Sequence, residues 1–93
     1  MKVVLYYDIS TEASGGGRRL GQILKICRKY LHHVQKSVFE GELTEGQIEA
    51  LKTEILKVVD RTKDSVVIYI FPASLRVKRE ILTLTEDRTG NII

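Results

Sequence analysis

Lys2-Val3-Val4-Leu5-Tyr6-Tyr7-Asp8-Ile9 is the stretch whose reading decides the fold of this chain. Residues 3–7 form an unbroken β-branched, apolar and aromatic run, which suits a central strand buried on both faces. At a period of two, Val3, Leu5 and Tyr7 share one face, and Val4, Tyr6 and Asp8 share the other. Helices are expected on the first face, leaving the second free. A carboxylate at the C-terminal end of a buried strand, followed by Ser10, Thr11 and a glycine-rich turn, stands where open α/β sheets place ligands. It equally suits a turn residue that accepts backbone N–H bonds, and these residues alone favour that plainer role.

Beyond this strand, Glu12 to Gly17 is a polar, glycine-rich connection, and a helical pattern begins near Arg18. Leu20, Ile23, Leu24, Cys27 and Leu31 fall on one helical stripe. Arg18, Arg19, Gln22, Lys25, Arg28 and Lys29 fill the opposite face, with both arginines near the helix N-terminus, where the macrodipole favours anions. Gly15-Gly16-Gly17 lacks the Gly-Lys-Ser/Thr ending of a P-loop and reads as a flexible entry for close approach to something large.

Residues 32–43 alternate apolar and polar side chains and are read as two short strands. His32 and His33 are adjacent, so on a strand they point to opposite faces and cannot share a metal ion; both are expected at the surface. Thr44 and Gln47 form a capping box for a second helix, whose apolar face carries Ile48, Leu51, Ile55 and Val58 or Val59. Residues 65–71 make another continuous apolar strand, stopped by Pro72.

The order βαββαβ, with two helices on one face of a four-stranded antiparallel sheet, is the ferredoxin-like arrangement of the α+β class. Residues 73–93 lie beyond it as a C-terminal extension of the same single domain. Within them Glu80 to Thr85 reads as an extra strand that folds back on its own sheet or, the option favoured in so short a chain, extends a partner's sheet by its edge.

Ninety-three residues make one small domain that gains by burying more surface in a dimer. No apolar run approaches the roughly 20 residues of a membrane span, and the N-terminus opens on a strand pattern rather than a signal peptide, so a cytoplasmic protein without a membrane partner is expected. Cys27 has no second cysteine to pair with and falls on the apolar stripe, a core position. The net charge of +3 is uneven: residues 1–36 hold seven Lys/Arg against two acids, and residues 37–60 hold two against six. That asymmetry permits a phosphate-binding face.

The strand ending in Tyr7-Asp8-Ile9, the Arg18-Arg19-Leu20 helix start and the long motif Val34-Gln35-Lys36-Ser37-Val38-Phe39-Glu40-Gly41-Glu42-Leu43-Thr44 together resemble the small CRISPR-associated endonuclease family, the second of the core adaptation proteins. The resemblance covers residues 1–71 well and the rest in general character. It implies a ferredoxin-like homodimer that works with the CRISPR integrase in spacer acquisition. It also implies, in many members, a magnesium-dependent nuclease acting on single-stranded RNA or duplex DNA, with Mn2+ an alternative to Mg2+. On the same resemblance Asp8 is the catalytic and metal-binding residue, Arg18 and Arg19 contact nucleic acid, and Tyr7, Ser37 and Phe39 support the site. One departure is His33, which stands where many members carry an arginine. Two other readings keep the fold: a non-catalytic DNA-binding bridge within the integrase complex, and a related toxin-type ribonuclease. An RNA-recognition motif is disfavoured, because its aromatic stacking signature is missing from the central strands.

Overall fold

In the computed structural model, which describes residues 1–12 and 15–84, six elements follow one another. They are β1 (Lys2–Asp8), α1 (Gly16–Tyr30), β2 (His32–Gln35), β3 (Val38–Glu42), α2 (Glu45–Leu56) and β4 (Ser65–Phe71). The sheet runs β2-β3-β1-β4 with every neighbouring pair antiparallel, the ferredoxin-like order.

The alternation along β1 is realised side chain by side chain. Val3, Leu5 and Tyr7 are buried, whereas Tyr6 and Asp8 are exposed. The buried set joins Phe39 of β3 with Ile23 and Cys27 of α1 and Ile48, Leu51 and Ile55 of α2 in one core. Both helices therefore lie over the same sheet face. Register places Lys2, Val4, Tyr6 and Asp8 on the other face, beside Glu42, Glu40 and Val38 of β3 and Phe71, Tyr69, Val67 and Ser65 of β4.

Local chemistry sets the helix starts. Thr44 accepts the Gln47 N–H at 3.2 Å while the Gln47 side chain accepts the Thr44 N–H at 2.9 Å, completing the capping box. Replacing such a cap by alanine costs about 1 kcal/mol. At α1 no side chain caps the helix; Gly15 turns into it with φ 81°. Gly16 is buried, and a Cβ there would stand 2.1 Å from the Ser10 carbonyl oxygen. The glycine run thus serves close approach within this chain, not the flexible entry for a large ligand expected from sequence.

Two further expectations change. The second helix ends at Leu56, so Val58 and Val59 pack on the core from the segment after it. No strand forms over residues 80–84, and Thr85 lies outside the described residues. A strand needs an edge to pair with, and within one chain this segment takes none. Its Arg79 instead pairs with Glu40 on the open sheet face.

Candidate nucleic-acid and metal site

The C-terminal end of β1 meets the α1 start and the β2–β3 turn in a concavity of about 530 Å3 lined by Tyr7, Asp8, Ile9, Leu20, Leu24, Lys36 and Ser37. Asp8 is the last residue of β1, opposite Ser65, and it is exposed. Magnesium is usually held by one or two carboxylates together with waters and substrate phosphates. Asp8 offers one such carboxylate, and its hard oxygens suit Mg2+ or Mn2+. No cluster of three or more His, Cys, Asp or Glu that could hold a metal ion occurs among the described residues.

Tyr7 points the other way from Asp8. Its hydroxyl donates to the Lys36 carbonyl at 3.0 Å and its N–H donates to the Ser37 carbonyl at 3.1 Å. Burial pushes the phenol up to about 12, so it stays a neutral donor. Phe39 is fully buried, its ring 6.2 Å from that of Tyr7 and 4.3 Å from the stacked ring of His33. Ser37 sits half-buried in the turn itself. Tyr7 and Ser37 thus line the concavity, and Phe39 packs behind Tyr7.

The two arginines at the α1 start separate. Arg18 is exposed, and with Gln22, Lys25, Arg28 and Lys29 it forms a solvent-facing stripe. Lys29 is paired with Glu54 at 2.5 Å, and the Tyr30 hydroxyl donates to the same carboxylate. Arg19 instead grips Asp64, with Nε 2.7 Å from Oδ2 and Nη2 3.2 Å from Oδ1, and it also donates to the Ser10 carbonyl at 3.2 Å. The Asp64 side chain is fully buried and accepts the N–H groups of Ser10 at 3.0 Å and Asp60 at 2.9 Å. The Arg19 guanidinium and these backbone donors bring its carboxyl down to about 2. Arg19 therefore ties the helix start to the turn before β4, where sequence reading assigned it, with Arg18, to phosphate.

Sequence reading missed two residues. Asp64 drew no role from the sequence, and no local signal links it to Arg19 across 45 positions. His33 was expected at the surface, but it faces Phe39 across the β2–β3 pair and is 5% exposed. The alternation that buries Phe39 fixes the face of His33 once that register is known.

On the open face, Tyr6 and Tyr69 stand with ring centroids 6.0 Å apart and are 39% and 51% exposed. The hydrogen bond with Tyr69, and secondarily burial, raises the Tyr6 phenol above its ordinary value.

A family profile described as "CRISPR associated protein Cas2" matches residues 1–79. A protein of Moorella thermoacetica named "CRISPR-associated endoribonuclease Cas2 2" is 54% identical over 91 residues, covering 98% of this chain and 100% of that protein. A "CRISPR-associated endoribonuclease Cas2" of Fusobacterium nucleatum is 43% identical, covering 100% of this chain and 87% of its own length. The crystal structure of Streptococcus pyogenes Cas2 superposes with a TM-score of 0.70 at 32% identity, over 80% of this chain and 89% of that one. The β1 carboxylate, the helix placement and the sheet order thus sit in a chain that belongs to the Cas2 family of CRISPR-associated proteins.

Proposed function

We propose that this Cas2-family chain is a metal-dependent endoribonuclease that acts as a homodimer and serves, with the CRISPR integrase, in spacer acquisition. The observation that carries the catalytic part is Asp8, an exposed carboxylate at a strand end in the concavity that Lys36 and Ser37 of the β2–β3 turn also line. The relatives named endoribonucleases support RNA as the substrate class.

The dimer follows from what one chain leaves uncovered. Val4, Tyr6, Val67, Tyr69 and Phe71 lie on a face that no helix covers, and Leu75, Val77, Ile81 and Leu82 of the C-terminal segment are exposed as well. A second copy packing on this face removes that apolar surface from water and brings two Asp8 carboxylates to one symmetry axis. When bound there, Mg2+ or Mn2+ supplies the charge that polarises a phosphate and activates a water. Asp8 from each copy would hold the ion, Arg18 and Lys25 of α1 would neutralise the RNA backbone, and the Lys36–Ser37 turn would border the scissile region.

A non-catalytic bridge is the second reading, and it is favoured by Asp8 being the one carboxylate among the described residues that line the concavity. Cleavage of single-stranded RNA and of duplex DNA by wild type and Asp8→Asn, with Mg2+, Mn2+ or chelator, separates the two. The nuclease reading expects metal-dependent cleavage of RNA that Asp8→Asn abolishes while RNA binding survives. Equal cleavage by both proteins, after purification to constant specific activity, or by neither, removes it.

A further inference from the structure

His33 is a buried polar residue that no part of the proposed site uses directly. Its ring lies 4.3 Å from that of Phe39 with the planes only 8° apart. Its Nε2 is 3.0 Å from the Lys36 carbonyl oxygen. A carbonyl can only accept, so Nε2 carries the proton and donates. In the neutral ring Nδ1 is then a bare acceptor, buried and without a partner among the described residues. That is an unfavourable arrangement, because a buried acceptor loses its water and gains nothing in return. A phenylalanine or leucine could pack on Phe39 without it. What the imidazole alone adds is the bond to Lys36.

The same carbonyl accepts the Tyr7 hydroxyl at 3.0 Å. Two donors, one from β1 and one from β2, therefore converge on one oxygen in the tight β2–β3 turn. The adjoining Ser37 carbonyl takes the Tyr7 N–H, so three bonds fasten two successive peptide groups of the turn. The strand pairing is irregular between His33 and Gln35, just ahead of the turn. Such a bulge leaves the local ladder incomplete, and the side-chain bonds compensate for it. The fastened segment lines the concavity that also contains Asp8, and Lys36 is exposed there.

We propose that His33 is a positioning residue: through the Lys36 carbonyl it holds the β2–β3 turn so that Lys36 and Ser37 meet the RNA backbone beside Asp8. This deepens the nuclease reading and rests on it for the substrate. The imidazole touches neither RNA nor metal; it acts through the turn. Tyr7 is its counterpart from the opposite strand, and the two share one acceptor.

Three variants test this: His33→Phe keeps an aromatic ring against Phe39 and removes the donor, His33→Gln restores a side-chain N–H of similar reach, and Tyr7→Phe removes the other donor. The first readout is amide hydrogen exchange at Tyr7, whose N–H is bonded to Ser37, compared with Leu5 in the same strand. The second is kcat and KM for single-stranded RNA, or the RNA dissociation constant if the wild type does not cleave. His33→Phe is expected to accelerate exchange at Tyr7 but not at Leu5, and to raise KM or the dissociation constant on the order of tenfold with a smaller change in kcat, as supporting residues of a site typically do. His33→Gln should restore both. Combined with Tyr7→Phe, the effect should be non-additive, since both donors serve one oxygen. Unchanged local exchange and unchanged RNA affinity in folded His33→Phe overturn the proposal. So does an equal, uniform loss of protection in His33→Phe and His33→Gln, which marks a packing residue only. Should His33→Phe not fold, His33→Leu, which also packs on Phe39 without a donor, decides it: a tightly protected Tyr7 amide and wild-type RNA affinity in that variant overturn the proposal. If the wild type proves inactive as a nuclease, the exchange and affinity measurements still decide the role of His33, so the two failures are distinct.

Discussion

Arg19 and Asp64 form a two-pronged ion pair between the first turn of α1 and the residue before β4, and the Asp64 carboxylate is wholly shielded from solvent. Four donors converge on it: two from the guanidinium and the N–H groups of Ser10 and Asp60. A planar guanidinium matched to a carboxylate is a geometry lysine cannot reproduce. It closes the sheet end at which Asp8 stands.

The first prediction concerns acid. Asp64 titrates near 2 in the folded chain, against about 3.9 for an unfolded aspartate. A depressed folded value means that the stabilisation is present above the unfolded value and is lost as pH falls through the folded one. Denaturant midpoints measured from pH 5 to pH 2 should therefore fall across the window from about 4 to about 2 in wild type. Asp64→Asn should be less stable than wild type at pH 7 and show a flatter curve in that window. Parallel curves for the two proteins would assign the acid sensitivity to other carboxylates.

The second prediction divides two neighbours. Arg18 is exposed on the helix stripe, whereas the Arg19 side chain is 13% exposed and engaged. Arg18→Glu should weaken RNA binding alike for all sequences, lower the salt dependence by about one unit of slope, and leave the melting temperature near that of wild type. Arg19→Gln should lower the melting temperature clearly, because it leaves a buried carboxylate without its cation. Binding titrations at several salt concentrations, run beside thermal melts, check both arms. If Arg19→Gln melts like wild type and loses RNA, the two residues act together on phosphate.

Most of the fold was legible because it rests on periodicity. Alternation in residues 3–7 put Leu5 and Tyr7 under the helices, the stripe ending at Cys27 and Leu31 found α1, and Thr44 with Gln47 marked the start of α2. What escaped depends on pairing across the chain. Asp64 acquires its meaning only when Arg19 is brought to it, and His33 goes inside only because register sets it against Phe39. Gly16 was read as freedom to meet a ligand, when its hydrogen side chain is required by the Ser10 carbonyl 2.1 Å from where a Cβ would stand. The C-terminal strand was read from composition, but a strand is a property of two edges, and one chain supplies only the first.

A third prediction uses Cys27. Its side chain is buried, and burial pushes the thiol up to about 12, so almost no thiolate exists at neutral pH. Native protein should resist a thiol-labelling reagent, and labelling should become fast once denaturant unfolds the core. Rapid labelling of the native protein at low denaturant would show that α1 opens locally, without global unfolding.

The last prediction concerns the path of the C-terminal segment. Glu40 sits on the open face of β3 with its side chain 17% exposed, held between Lys2 at 3.7 Å and Arg79, whose Nε donates to its Oε1. Arg79 thus ties the C-terminal segment at one point to the face on which a second copy is proposed to pack. Exposed ion pairs contribute little, but a pair that becomes covered on association gains strength as water leaves, and losing one partner then strands the other charge. Glu40→Lys and Arg79→Glu should each weaken the dimer, and the combined swap should recover part of the loss, which neither change explains alone. Light scattering over a dilution series, with wild type at about twice the 10.6 kDa chain mass, reads the dissociation constants. A chain ending at residue 75 should dissociate more readily than any of these. Dimers of unchanged affinity in both single variants would mean that the segment's contact with Glu40 is incidental, and a monomeric wild type at micromolar concentration would remove the dimer itself.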